Sequence, residues 1–594
     1  MEKQTNRLRV IWFFLKQYKL QVLVLFILSL LVGGLEAATV AAVYPILSAA
    51  FEEGFAEGNI ILSLFRDMAN LVPVADEFIA YCLIFLFLAI VAFAAKLISI
   101  RYRVTFGARL VEKNQNEIFN KFIKADYQFF IDHKQGELIY NTASAPQSLS
   151  HLIMAVTELI SQVILSISVL LLLFSLSWQG TVAVLLIGLV YYFFTRYLAE
   201  KVAYDAGKGQ MEAAREGNVI LNETIGGIKQ VKVFATAEDW IHRFSSTIRK
   251  RWYHYIRVNA WQQALNPILM LILYLFIGIV AMLIKTLVPT GFNELIPIFG
   301  TFAFAVFRLV PVMGGISNST MQIMASLPNC EIVYHILGEK LTHIEDGEEE
   351  LDSFKSQIEL DNVTFAYKGR AKVLKDISIT FEKGKTTAIV GRSGSGKTTI
   401  INLLLRLFDV DQGEVKIDGL NVKQYKQVSW LDKIGFVSQD TFIFNDTIRN
   451  NITFGSKYSD EEVVRASEYA DAHSFITELP SGYDTFVGDK GMRLSGGQRQ
   501  RIAVARAMIR DPEVLIFDEA TNALDNISEA AVQKAIDEIS KDHTVIVVAH
   551  RLSTVVHADK IIVLGDGRVA EEGTHKELMG NGGAYSELYQ SQLV

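Results

Sequence analysis

The chain has 594 residues of which 51% are hydrophobic, and its mean hydropathy is positive, so part of it belongs in lipid rather than in soluble cores. A formal charge of -7 over that length leaves no nucleic-acid footprint. Two cysteines, Cys82 and Cys330, without any CxxC pair, argue against a disulfide framework or a zinc site.

The N-terminal stretch MEKQTNRLRVIWFFLKQYK interleaves basic and apolar residues and no small-residue cleavage site follows, which predicts an interfacial amphipathic helix rather than a signal peptide. Six apolar runs follow, at about 20–47, 78–100, 149–176, 181–198, 260–284 and 295–324, against the roughly 20 residues that a membrane span needs. An even number returns the chain to its starting side, so the N-terminus and everything after residue 325 share one compartment. Lys and Arg crowd the segments after the second and fourth runs, whereas residues 51–77 hold only Arg66 among six acids. The positive-inside rule makes the former cytoplasmic and the latter external. Within that external segment Ile61, Leu64, Phe65, Met68 and Leu71 recur at helical spacing before Pro73, predicting a short helix lying on the outer leaflet.

The connections at 101–148 and 199–259 are too long for loops and contain no proline except Pro146. They predict transmembrane helices continued into the cytoplasm, with hairpin tips near 125–137 and 236–244; twenty extra residues reach ~30 Å beyond the bilayer. A charge near the bilayer centre costs at least ~2.5–3.5 kcal/mol, which makes charged residues inside the runs candidates for a substrate cavity. Arg308 is one, with Pro311, Gly314 and Gly315 expected to bend the helix beside it. Glu36 is the second, placed to pair with a base or to face the external mouth. Lys96 is the third, although it lies near enough to the cytoplasmic end to snorkel.

From about 339 to 356 the chain turns acidic and polar, dividing it into a membrane domain (1–338), a linker (339–355) and a soluble domain (356–594). In the last, runs such as TTAIV, VLIFDE and TVIVVA suit strands of a mostly parallel sheet flanked by helices. The expected fold is therefore a membrane α-helical domain of six transmembrane helices joined to an α/β P-loop nucleotide-binding domain.

GRSGSGKT at 391–398 follows the strand TTAIV and opens a helix, which is the context a phosphate-binding loop requires. Gly391, Ser393, Gly394, Ser395 and Gly396 would turn backbone N–H groups onto phosphate oxygens, with Thr399 in the first helical turn. Lys397 would neutralise the β and γ phosphates of ATP and the Thr398 hydroxyl would ligate Mg²⁺. A chance glycine turn is the bland alternative, and the flanking strand and helix speak against it. At 514–519, VLIFDE delivers two carboxylates to a strand end: Asp518 to hold Mg²⁺, Glu519 to polarise the attacking water. Two acids alone would suit a solvated turn equally well; the phosphate loop upstream decides between the readings.

With LSGGQ at 494–498, followed by RQRIAVARAMIRDP, the second half resembles the ATP-binding cassette family. Six spans with long cytoplasmic extensions ahead of a C-terminal cassette resemble that family's exporter branch. The resemblance implies that Ser495, Gly496, Gly497 and Gln498 cap the γ-phosphate of ATP bound to a partner subunit, in keeping with the free N–H donors of a glycine-rich helix start. It implies further that Tyr367 in VTFAY stacks on adenine, that Gln439 in GFVSQD contacts Mg²⁺ and senses the membrane domain, and that His550 in VIVVAHRLS contacts the γ-phosphate. Asp525 in NALD falls in the loop that crosses the dimer seam; that loop usually begins with serine, and Asn522 stands here instead. One signature motif per chain implies a dimer, a homodimer given intact Glu519, His550 and LSGGQ, with a heterodimer as the alternative. The hairpin tips would dock on the cassettes and be moved by their ATP-driven closure. The sequon at Asn451 lies in the cytoplasmic domain and is not a glycosylation site.

The external helix, the YPIL end of the first span and the RLVP stretch of the sixth resemble bacterial flippases of lipid-linked oligosaccharides. That implies ATP-driven export or flipping of a lipid-type substrate, a lipid-linked oligosaccharide or other anionic lipid, with Arg308 as anion anchor. The place would be the bacterial inner membrane, the N-terminus and cassette facing the cytoplasm. The alternatives are a multidrug or peptide exporter, whose cavity would more often be apolar or acidic, and a family ATPase that acts without transport. Six spans and a complete hydrolytic set speak against the last.

Overall fold

The structure is a computed structural model and describes residues 7–50, 60–74, 76–176, 178–287, 296–519, 534, 536, 538–549 and 555–593. It divides into two compact units, Met1–Lys124 with Phe130–Leu341, and Ala125–Phe129 with Thr342–Val594.

The first unit is all helical. Helix α1 (Arg7–Lys16) buries Val10 and Phe14 and exposes Leu8 and Trp12, the two-faced pattern expected of an interfacial helix. The first apolar run becomes α2 (Lys19–Ala41) and α3 (Val43–Ala50), and the expected external helix is α4 (Ile60–Ala69). Its Phe65 and Ala69 are buried against Ala42, Ala80, Tyr81 and Ile84, so part of its apolar face packs on neighbouring helices, while Leu64 stays exposed. Helix α5 (Glu77–Ile123) starts on an Asp76 cap that accepts the N–H groups of Phe78 and Ile79. Its 47 residues make one continuous rod of ~70 Å, far longer than a bilayer.

Two short helices, α6 (Tyr127–Asp132) and α7 (Gln135–Ile139), occupy the place of the first tip. A π-helical turn at Tyr140–Ser144 leads into α8 (Gln147–Leu176), which is followed by α9 (Trp178–Leu198), a second π turn at Ala199–Ala203 and α10 (Tyr204–Gly226). The second tip comes earlier than expected. The helix stops at Gly226 and Gly227, poor helix formers, a short α11 (Ile228–Val233) follows, and Ala235 takes a left-handed φ of +53° before α12 (Ala237–Leu287) starts. Residues 237–244 are thus already helix rather than tip.

Helix α13 (Ile296–Gly338) completes the unit and is unbroken through Pro311, Gly314 and Gly315. These glycines serve close approach rather than a break: a Cβ at Gly314 would overlap Asn266 of α12, and one at Gly315 would lie 3.1 Å from the Gln162 side chain of α8. Among the described residues, Lys19–Leu47, Glu77–Ile123 and Gln135–Leu171 are long and apolar enough to cross a membrane. The other expected spans fall on α9, α12 and α13, each of which includes or borders positions outside that description.

The second unit carries two sheets. One is antiparallel, in the order β2 (Lys372–Glu382), β1 (Gln357–Ala366), β4 (Gln412–Ile417), β5 (Leu420–Asn421). The other has the order β10 (Arg568–Gly573), β9 (Lys560–Gly565), β3 (Thr386–Gly391), β8 (Thr544–Val548), β7 (Val514–Asp518), β6 (Ile434–Val437), parallel except for the β10 edge. The parallel strands read as continuous apolar runs because both of their faces are covered. Helix α14 (Lys397–Leu404) and α15 (Gln427–Leu431) share the core that includes Phe354, Phe381, Ile389 and Ile516; α16 (Ile448–Thr453), α17 (Asp460–Tyr469), α18 (His473–Glu478) and α19 (Gly496–Met508) build a second core around Ile448, Val463, Ile476 and Ile502.

The acidic stretch expected as a linker is not free chain beyond Thr342. The guanidinium of Arg406, 1% exposed, donates to the carbonyls of Glu345 (2.6 Å) and Tyr425 (3.0 Å). The N–H groups of Gly347 and Glu349 donate to the carbonyls of Tyr425 and Gln424, and Leu351 and Phe354 enter the core. Sequence composition marks the charge of this segment but not the buried arginine that fastens it.

Gly207 of α10 lies so close to α13 that a Cβ there would sit 2.9 Å from the Cα of Ala325. Gly207→Val should cost about 1–3 kcal/mol and lower the thermal midpoint of the purified protein by a few degrees. Gly34→Ala, at a helical position with no atom within 4 Å of the added carbon, should leave the midpoint unchanged or slightly raised.

Candidate functional site

The phosphate loop begins where β3, buried from Thr387 to Val390, meets the surface. Gly391, Gly394 and Gly396 have φ of +155°, +81° and +106°. Two of them are also sterically required: a Cβ on Gly391 would lie 2.5 Å from the Leu564 carbonyl oxygen, and one on Gly396 2.6 Å from the Leu374 side chain. The loop ends at α14, whose first residue, Lys397, is buried and donates through Nζ to the carbonyls of Gly391 (2.9 Å) and Arg392 (3.3 Å). Burial pushes its ammonium below the ordinary lysine range, while the charges of Glu519 and Asp518 pull it back. The Ser395 hydroxyl is buried without a partner among the described residues, and Thr398 is exposed.

β7 is buried along its whole length and ends on Asp518, in register with Val548 of β8. Asp518 is 5% exposed and its Oδ1 has no hydrogen-bond partner among the described residues. Burial, and then the neighbouring charge of Glu519, push its carboxyl up to about 6. Glu519 follows in the left-handed region at φ +48°, held there by its N–H on the Val548 carbonyl (2.9 Å); a non-glycine residue in that region stores strain. Gln439, just beyond β6, donates from Nε2 to Glu519 Oε2 at 2.8 Å. Strand order explains the meeting: β6 and β7 are neighbours, so residues leaving their ends arrive together.

Tyr367 leaves the end of β1. Its hydroxyl shares a hydrogen bond with Thr399 Oγ1 (3.1 Å) and accepts from Asn402 Nδ2 (3.3 Å), both on α14. Phe365 and Phe408 meet its ring nearly perpendicularly at 5.1 and 5.3 Å. Asn402 and Phe408 escape the sequence reading: within INLLLRLFDV they look like ordinary helix and core positions.

Ser495 is the N-cap of α19. Its Oγ accepts the Gln498 N–H (3.2 Å) while the Gln498 side chain accepts the Ser495 N–H (2.9 Å), a reciprocal capping box. Gly496 and Gly497 open the helix behind it. His550, Asp525 and Asn522 lie outside the described residues, as does the side chain of Arg308.

In the first unit the structure brings two of the proposed cavity residues together. Glu36, 8% exposed, accepts from Lys96 Nζ at 2.8 Å, so that lysine pairs with a carboxylate on α2. A second pair that was not anticipated joins Arg103 of α5 to Glu158 of α8, and Gln162 donates to the same carboxylate at 2.6 Å.

Comparison with known proteins covers both units. The family model described as ABC transporter matches residues 374–522, and that described as ABC transporter transmembrane region matches 18–308. The chain is 35% identical over 494 residues to the ATP-dependent lipid A-core flippase of Photobacterium profundum, covering 82% of this chain and 83% of that protein. It is 34% identical over 497 residues to the heterocyst differentiation ATP-binding protein HepA of Nostoc sp. (83% and 80% covered). The solved structure of a bacterial Atm1-family ABC exporter with ATP bound superposes with a TM-score of 0.78 at 26% identity, over 98% of this chain and 99% of that one.

Proposed function

Because the chain belongs to the ABC transporter family, as an exporter-type subunit with its membrane region fused to its ATPase, we propose that it hydrolyses ATP to flip or export a lipid carrying an anionic or glycan headgroup. The observation that carries the chemical half is the cluster at the ends of β6 and β7: a buried, unpartnered Asp518 oxygen beside a strained Glu519 held by Gln439. The lipid half is supported by likeness to proteins named lipid A-core flippases along both regions of the chain.

The oxygen donors fit Mg²⁺: Asp518 Oδ1 offers lone pairs that no described residue engages, and the Thr398 hydroxyl and Gln439 amide are hard neutral ligands. When bound, that ion neutralises charge building on the phosphates. Lys397 exchanges the carbonyls of Gly391 and Arg392 for phosphate oxygens, and the glycine N–H groups of the loop and the start of α14 complete the cradle. Gln439 keeps Glu519 aimed, so that its carboxylate orients the attacking water and takes up its proton. Ser495, Gly496 and Gly497 of a second copy close the site from across the seam, with His550 and Asp525 serving there as the family's pattern assigns them. The functional unit is a homodimer in the bacterial inner membrane with N-terminus and cassettes cytoplasmic. In the membrane domain (1–338) Arg308 anchors the headgroup, while Glu36 and Lys96, neutralising each other, shape the polar lining without adding net charge.

Three outcomes test this reading. Glu519→Gln should bind ATP but hydrolyse it at least ~10²-fold more slowly; turnover at the wild-type rate would remove Glu519 from its role. Asp518 must be ionised to ligate the cation, and burial raises its pKa to about 6. The Mg²⁺ concentration for half-maximal ATPase should therefore rise as pH falls through about 6 and be flat above 7. In the same sense, the proton held by Asp518 stabilises the folded cassette at acid pH, a contribution lost as pH rises through about 6. Finally, in liposomes, lipid A or an undecaprenyl-diphosphate glycan should stimulate wild-type ATPase and not that of Arg308→Ala. Stimulation by apolar drugs or peptides alone would overturn the lipid assignment in favour of a drug or peptide exporter.

A further inference from the structure

Residues 125–129 follow directly on the α5 rod and include the start of α6, yet they group with the second unit. Within that unit they are fastened at Thr342: the Asp126 N–H donates to the Thr342 carbonyl (3.0 Å), the Thr342 hydroxyl donates to Asp126 Oδ2, and Asp126 Oδ1 accepts the Phe129 N–H (2.9 Å). The next residue, Tyr127, places its ring against Phe408 with centroids 5.8 Å apart and planes at 78°.

Phe408 is not an isolated landing point. It lies four residues beyond α14, the helix that carries Lys397 and Thr398, and from there it turns back onto Tyr367 at 5.3 Å and 88°. Tyr367 is thus gripped twice by one segment: its hydroxyl by Thr399 and Asn402 of α14, its ring by Phe408 at the exit of the same helix. A row of rings, Tyr127, Phe408, Tyr367, runs from the 125–129 turn to the edge of the phosphate-binding helix.

We propose that Phe408 is a positioning residue that ties the 125–129 turn to the adenine subsite, steadying the Tyr367 ring plane for the base more firmly when Tyr127 rests against it. The proposal depends on Tyr367 being the adenine platform. Perpendicular ring contacts are directional, so loss of one lets the next ring tilt. Tyr127 is 46% exposed and opens a six-residue helix with no buried residue, so its contact is made or released without unpacking a core. By linkage, a turn that strengthens adenine binding when engaged is itself drawn into place by the adenine of ATP. The base, and not only the γ-phosphate, then reports on the state of the membrane-domain helix that ends at the turn.

The test uses the full transporter in liposomes and reads two constants: KM for ATP, and the inhibition constant of inorganic triphosphate, which has the phosphates without the base. Phe408→Leu and Tyr127→Leu should each raise KM for ATP by roughly two- to tenfold, the worth of one aromatic pair, and leave triphosphate inhibition unchanged. Phe408→Tyr, which keeps a ring, should rescue the KM. An equal rise in both constants would mean general damage to the phosphate loop and overturn the proposal. An effect of Phe408→Leu without any of Tyr127→Leu would overturn the link to the turn. Tyr367→Leu separates the two layers: if it alone raises KM, the relay fails and the adenine assignment stands; if it leaves KM unchanged, the assignment of Tyr367 fails and the relay with it.

Discussion

A carboxyl group that the fold removes from water and leaves half unpartnered is the constraint around which the ATPase unit is arranged. Asp518 is delivered by a strand whose five residues are all buried, and ionising it there costs enough to raise its pKa to about 6. A neighbouring negative charge, Glu519, raises it further. Such a group either keeps a proton or takes a cation as its partner. The lysine of the phosphate loop, Lys397, is meanwhile occupied by carbonyls of its own loop. Two acids and the ammonium of Lys397 thus meet at the ends of neighbouring elements, a donor set that suits a metal–nucleotide complex.

The membrane unit handles charge the opposite way. Glu36 and Lys96 satisfy each other between α2 and α5, and Arg103 and Glu158 do the same between α5 and α8. Neutral pairs are far cheaper in a low-dielectric region than single ions, and each links two helices. In the cassette one carboxylate oxygen, Asp518 Oδ1, has no partner among the described residues, whereas these four charges in the helical unit are matched within the chain.

Legibility from sequence follows how local the physics is. The phosphate loop is readable because three glycines with positive φ, a lysine and a threonine must follow one another closely, and the acidic strand because four apolar residues precede its two acids. The long rods are readable from the lack of helix-breaking proline over most of 101–148, whereas the second tip is misplaced because Gly226 and Gly227, which end α10, do not stand out as breakers in a polar stretch. What stays hidden depends on distant partners. Arg406 looks like one more surface arginine until its guanidinium is found under Glu345 and Tyr425. The partner of Lys96 is sixty residues away, which no spacing rule reaches. The linker's attachment is hidden for the same reason, since acidity is visible in sequence and a buried anchor is not.

The capping box at Ser495 bears on how two subunits come together. The same hydroxyl assigned to a nucleotide across the seam already terminates its own helix, with Gln498 returning the bond. The signature turn is therefore finished before any second chain approaches, and little conformational freedom remains there to be lost on contact. In the proposed dimer, closure is then the docking of a preformed surface, since nothing at that helix start has to fold when the halves meet.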